Sequence, residues 1–147
     1  MPTATVIYPE FDRPLSEDPE RSWTLPARYY FDPAIYEAER EKIFFKSWQY
    51  IGHRSQLENP GDYITGAVVD QPVFVLRDRS GELKGYYNVC LHRGGPLGQG
   101  VIMDNKVVCP WHGWEWDPKT GQAGHSPAFR VTVYPIKVEG EDVLIEI

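Results

Sequence analysis

Four residues in this 147-residue chain have the types and spacing to bind a metal centre. Cys90-Leu91-His92-Arg93-Gly94 offers a thiol and an imidazole separated by one residue. Cys109-Pro110-Trp111-His112-Gly113-Trp114 offers a second such pair, separated by two. Cys90 and Cys109 are the only cysteines. Two thiolates and two imidazoles meet the needs of a two-iron cluster, with the thiolates on one iron and the imidazoles on the other. They also meet those of tetrahedral zinc. The order favours the cluster. Zinc fingers usually group their cysteines and then their histidines, whereas here Cys-His is followed by Cys-His. Zinc stands as the competing reading, and a merely structural role for the four residues as the third.

The surroundings of both pairs suit a cluster. Gly94, Gly95, Gly98 and Gly100 crowd the first loop, and Gly113 follows the second pair. Cluster sulfides accept hydrogen bonds from backbone N–H groups, and glycines let those amides approach closely. Pro96 and Pro110 stiffen the loops by fixing φ.

The elements that must position these loops read as β structure after one helix. Asp32 is a good N-cap and Pro33 suits the first helical position, which predicts a helix from Pro33 to about Trp48. Tyr36, Ile43, Phe44 and Trp48 form its expected apolar stripe. Beyond it, turn signals recur at Asn59-Pro60-Gly61-Asp62, Asp70-Gln71-Pro72, Asp78-Arg79-Ser80-Gly81, Asp104-Asn105, Asp117-Pro118-Lys119-Thr120-Gly121 and Glu139-Gly140-Glu141-Asp142. Trp48 to His53 begins the β structure, and the expected strands after it are Tyr63 to Val69, Val73 to Arg77, Glu82 to Val89, Lys106 to Val108, Trp114 to Trp116, Val131 to Val138 and Val143 to Ile147. The fourth follows into Cys109, and the third delivers Cys90. Short strands with regular turns predict a mainly β protein, an antiparallel sandwich with a small cluster-binding subdomain at about residues 88–117. Residues 1–30, punctuated by Pro2, Pro9, Pro14, Pro19 and Pro26, read as an extended arm ahead of a domain spanning 31–147.

Composition narrows the function classes. The balance is 15 basic against 21 acidic residues, net −6. Bulk charge therefore argues against nucleic-acid binding, which needs clustered Lys and Arg. An acidic surface suits docking to a basic protein. No stretch approaches 18 apolar residues, and Met1 to Glu10 lacks the basic start and apolar core of a signal peptide, so no membrane anchor is expected and the cytoplasm is the expected compartment.

The two loops together resemble the Rieske [2Fe–2S] signature, with both halves and their flanking glycines matched. The resemblance implies that Cys90 and Cys109 bind the inner iron and that His92 and His112 bind the outer, solvent-facing one. In high-potential Rieske proteins of respiratory bc complexes, a disulfide and two hydroxyl donors sit beside the cluster. The matching positions here are Gly95 and Trp111 for the disulfide, and Trp114 and Trp116 for the hydroxyls. Hydrogen bonds to sulfur raise the potential, so their loss implies a low-potential centre of the oxygenase type.

The front of the chain resembles the N-terminal Rieske domain of ring-hydroxylating oxygenase large subunits. This rests on Trp48-Gln49-Tyr50-Ile51-Gly52-His53, Asn59-Pro60-Gly61-Asp62-Tyr63 and Gln71-Pro72-Val73. The back, Val133 to Ile145, resembles the closing hairpin of free-standing Rieske ferredoxins. No His-x4-His pair exists for a mononuclear iron, and His53 and His125 are expected to be without chemistry. The expected function is one-electron transfer from a reductase, flavin-dependent by this resemblance, to a terminal oxygenase, with no catalytic site of its own. The alternative is a separately encoded or truncated Rieske domain of an oxygenase whose mononuclear-iron domain lies on another chain.

Overall fold

The computed structural model describes residues 18–21 and 25–147. Most of the proposed arm, residues 1–17 and 22–24, lies outside the described residues. Pro19–Arg21 and Ala27–Tyr30 form single 3-10 turns.

Helix α1 runs Pro33–Lys42 and starts where the sequence predicts. The Asp32 side chain accepts the Ala34 N–H at 2.9 Å, a cap of about 0.5–2 kcal/mol. The helix stops earlier than expected. Ile43 caps it with its N–H on the Glu39 carbonyl, Phe44–Lys46 tightens into a 3-10 turn, and the Ser47 hydroxyl donates to the Ile43 carbonyl. The expected stripe is also wrong in part. Ile35 is the buried residue of α1, whereas Tyr36 and Ile43 are exposed.

Twelve strands follow: β1 (Gln49–His53), β2 (Tyr63–Val68), β3 (Gln71–Arg77), β4 (Leu83–Tyr87), β5 (Val101–Met103), β6 (Lys106–Val108), β7 (Glu115–Trp116), β8 (Gln122–Ala123), β9 (Ser126–Arg130), β10 (Val133–Tyr134), β11 (Ile136–Glu139) and β12 (Asp142–Ile145). They form three antiparallel sheets, ordered β1-β12-β11, β10-β4-β3-β2 and β5-β6-β7-β8-β9. The expected mainly β, antiparallel class stands, with one α-helix among the described residues.

Two strand boundaries differ from expectation for identifiable reasons. Pro72 lies inside β3, not in a break. It lies near the start of the strand, where a missing N–H is best tolerated, and its carbonyl still accepts the Asn88 N–H at 2.8 Å. The expected strand Val131 to Val138 is two. Pro135 separates β10, which pairs with β4, from β11, which pairs with β12. Strands β5, β8 and β9 were not foreseen.

β3 explains how the sheets become one molecule. Its residues Val73, Phe74, Val75 and Leu76 are all buried. Alternation sends Val73 and Val75 to one face and Phe74 and Leu76 to the other. The first face packs with Leu57, Ile64, Val68, Val143 and Ile145. The second packs with Tyr86, Leu97, Val107, Trp116 and both cysteines. One strand thus joins the base of the domain to the core under the two loops.

Candidate iron–sulfur centre

The two Cys/His loops are built on one backbone turn used twice. In the first, the Cys90 N–H donates to the Gly95 carbonyl at 2.8 Å, and the Gly94 N–H returns to the Cys90 carbonyl at 2.8 Å. In the second, the Cys109 N–H donates to the Trp114 carbonyl at 2.8 Å, and the Gly113 N–H returns to the Cys109 carbonyl at 3.0 Å. Each turn closes on a glycine in the left-handed region, Gly94 at φ +79° and Gly113 at φ +72°. A side chain there meets strain of about 1–2 kcal/mol.

The supporting elements follow from local sequence. The first loop leaves the end of β4, and the Asn88 side chain, just ahead of Cys90, accepts the Gly98 N–H at 2.7 Å. The second loop connects β6 to β7. β6 is fixed by the β5–β6 hairpin, whose turn residues Asp104 (φ 46°) and Asn105 (φ 60°) take the left-handed geometry of a tight hairpin. A 2.6 Å ion pair between Lys106 and Glu115 ties the two strands flanking the second loop.

The loops interlock. Gly95 stands so close to the second loop that a Cβ there meets Cys109 Sγ at 2.9 Å and the Trp111 ring at 3.1 Å. In return, Trp114 of the second loop stacks on His92 of the first, with ring centroids 4.5 Å apart and planes 6° apart. His92 and His112 meet edge to face at 4.7 Å.

All four residues singled out from the sequence are therefore brought together, with both thiols free and buried. His112 is exposed and His92 half-buried. Burial pushes the Cys90 thiol above its ordinary pKa, against the pull of the His92 N–H and of Trp116. Burial, then the neighbouring His112 and Arg93, hold the His92 imidazole below its ordinary value.

Two buried polar atoms here have no hydrogen-bond partner, His92 Nδ1 and Trp116 Nε1. Buried polar groups are nearly always satisfied, so each orphan calls for an explanation. An imidazole nitrogen left bare beside two desolvated thiols fits a metal centre. The Trp116 N–H acts on Cys90 from nearby without reaching hydrogen-bond geometry, as a donor toward a cluster sulfur would. Among the described residues, no three His, Cys, Asp or Glu side chains group around a single ion position. The donors instead fall into a thiol pair and an imidazole pair, which suits two irons better than one tetrahedral zinc.

The remaining histidines divide. His53 caps the 3-10 turn Arg54–Leu57, with Nδ1 at 2.8 Å from the Ser55 hydroxyl, a structural role. His125, expected to be without chemistry in a loop near the cluster end, packs its ring 3.9 Å from that of Trp114, which also touches Phe129 at 5.6 Å. Nothing local in the sequence signals this, because the contact depends on the short β8–β9 hairpin.

A mainly antiparallel fold carrying paired Cys/His turns over a shared core suits an iron–sulfur protein. A family model of the Rieske [2Fe-2S] domain matches residues 47–135, more than half of the chain, and the chain belongs to that family. Its cofactor is a Rieske-type [2Fe–2S] cluster. The carnitine monooxygenase oxygenase subunit of Escherichia coli is 39% identical over 112 residues, which cover 74% of this chain and 30% of that protein. A crystal structure of the apo form of the quaternary ammonium Rieske monooxygenase CntA superimposes with TM-score 0.73 at 31% identity, over 85% of this chain and 40% of that one. The ferredoxin of carbazole 1,9a-dioxygenase from Nocardioides aromaticivorans gives TM-score 0.60 at 26% identity, over 69% of this chain and 98% of that one. The chain thus spans about a third of the length of the oxygenase subunits it matches, and nearly the full ferredoxin.

Proposed function

We propose that this chain carries single electrons through a Rieske [2Fe–2S] cluster, from a flavin-dependent reductase to a terminal oxygenase. In this reading Cys90 and Cys109 hold one iron, and His92 and His112 hold the other. The observation that carries it is the unpartnered His92 Nδ1 beside two buried free thiols. When bound, such a cluster stores and releases one electron without bond making. The chain's own residues do the rest. Gly95 leaves room for Cys109 Sγ. Trp114 fixes the plane of His92. The core under the loops, with Leu97, Val107 and Trp116, keeps water from the thiol side. The Rieske domain in this reading begins near residue 31.

The centre belongs at the lower end of the Rieske range of about −150 to +300 mV. Neither Gly95 nor Trp111 can form the disulfide, and neither Trp114 nor Trp116 brings a hydroxyl. Absorbance, EPR and a redox titration of purified protein test the whole reading. A colourless preparation with stoichiometric zinc would end it, and a midpoint near the top of that range would end the low-potential part.

A second reading is favoured by the 39% identity to an oxygenase subunit. Here the chain is the Rieske domain of an oxygenase whose mononuclear-iron domain lies on another chain, and the relatives' names point to quaternary ammonium compounds as that oxygenase's substrates. Co-purification separates the two. A free carrier runs alone, whereas an oxygenase component holds its catalytic chain in a stable assembly. Among the described residues, no helix is long and apolar enough to cross a membrane.

A further inference from the structure

The seam between the four-stranded and five-stranded sheets is not filled. A cavity of about 310 Å³ opens there, between β2, β3, β5 and β6. Its floor is Phe74, Leu76, Leu97 and Val107, each at most 5% exposed. Ile102 lines one wall, and the exposed Tyr63 and Val101 border the mouth. Every lining side chain is uncharged, and the Tyr63 phenol is the single polar one.

Protein interiors pack to crystal density, and side chains that face a gap lose dispersion contacts outright. The chain cannot close this gap from the side of the first loop. A Cβ on Gly98 meets Thr65 Cγ2 at 2.6 Å, so a larger residue does not fit there. The size suits a small molecule. Ligand sites start at about 300 Å³, and an apolar cavity of about 150 Å³ already takes benzene. A groove beside α1 has a similar volume, about 310 Å³, but Glu39 and Lys42 line it next to Ile35 and Ile43. The cavity in the seam has no such charge.

We infer that this cavity binds a small neutral apolar molecule of one or two rings, and that the occupant steadies the first Cys/His loop. The lining sets the chemical class. A charged ligand would lose its water with no partner to replace it. A flat apolar ring meets the rings of Phe74 and Tyr63 and the branched side chains between them. The coupling to the loop runs through one turn, Leu97–Gln99. Leu97 lines the cavity and also packs in the core that holds Cys90 and Cys109. Gly98 lines it too, and gives its N–H to the Asn88 side chain at 2.7 Å, two residues before Cys90. A molecule resting on Leu97 and Gly98 therefore holds the loop from behind. It binds the closed loop and not the opened one, which favours the closed state by mass action.

The test is calorimetric titration of the full, cluster-loaded chain with indole. Saturable binding at one site is expected. Ile102→Trp fills the cavity from its wall and weakens that binding about tenfold or more. Val101→Asp puts a charge at the exposed mouth, does the same, and carries the test if the Trp variant folds poorly. Ile43→Asp, the same kind of change on the groove beside α1, leaves binding in place. The second measurement is the rate at which a chelator removes iron. Indole at ten times its Kd slows that loss by up to about tenfold in the wild type, and not in Ile102→Trp. No saturable binding would overturn the site, as would binding lost in Ile43→Asp but kept in both cavity variants. Binding with an unchanged rate of iron loss would overturn the link to the first loop.

Discussion

Loops 90–95 and 109–114 share a backbone turn and differ at two places. Both close with the same pair of hydrogen bonds and a left-handed glycine. In the first the histidine stands two residues after the cysteine, and in the second three. The residue that completes the turn is Gly95 in the first and Trp114 in the second. Those differences are complementary. The missing side chain at Gly95 admits Cys109 and Trp111 of the other loop. The large side chain at Trp114 fills the space against His92. Identical turns would leave two similar pairs facing each other. Unequal turns make one interlocked site.

The largest expected effect tests what the loops have in common. Cys90→Ala and Cys109→Ala each abolish the cluster, read as loss of iron and of the EPR signal, because each removes a thiolate that no other cysteine replaces. A variant that keeps the full signal would show that its loop supplies no ligand.

Next come the positions where the loops differ. Gly95→Ala puts a methyl at 2.9 Å from Cys109 Sγ, and overpacking of this kind costs about 1–3 kcal/mol. Iron content falls with it, because the displaced atom is a thiol of the site. Trp114→Ala acts in the opposite sense by opening space. It costs less than the about 3–5 kcal/mol of a fully buried Trp, since this ring is only half-buried. The cluster forms but is lost faster on dilution or chelation, because His92 has lost its stacking wall. Equal cluster lifetimes in Trp114→Ala and the wild type would break the interlocking account.

The shared glycines offer a smaller and cleaner comparison. A Cβ at Gly94 or Gly113 meets nothing within 4 Å, so the cost of alanine is conformational alone. Each substitution destabilises by about 1–2 kcal/mol, and the two match within error in thermal unfolding. Unequal losses would mean that the turns are alike only in outline.

Much of this was legible in the sequence because it is local. The Cys/His spacing and flanking glycines mark the loops. Asp32 before Pro33 marks the start of α1, and Asp104-Asn105 marks the hairpin turn. What was not legible depends on partners far along the chain. The spacings Cys-x-His and Cys-x-x-His conceal that the backbone turns are the same, since the offset lies in which turn residue bears the ring. The placement of His125 and Phe129 on Trp114 requires the β8–β9 hairpin, whose strands are too short to show a period. In α1, periodicity pointed to Tyr36 and Ile43, but Ile35 took the buried place, and the segment meets the core through Phe44 and Phe45 of the 3-10 turn that follows.

The smallest expected effect concerns the floor beneath both loops. Trp116 lies in the shared core, and its unpartnered Nε1–H acts on Cys90. If that N–H serves as a donor toward cluster sulfur, it stabilises the more negative, reduced state and raises the potential. Trp116→Phe removes the N–H while retaining a buried ring. The midpoint then moves down by less than about 60 mV, the one-electron equivalent of a tenfold change in the equilibrium. Spectra stay unchanged, because all four donors remain. An upward shift would assign the potential to altered packing and leave the first loop's thiol without a donor from below. A downward shift would place the two loops under unequal electronic control, with Cys90 tuned from the core by Trp116 while the exposed His112 meets solvent, and so extend their difference from shape to charge.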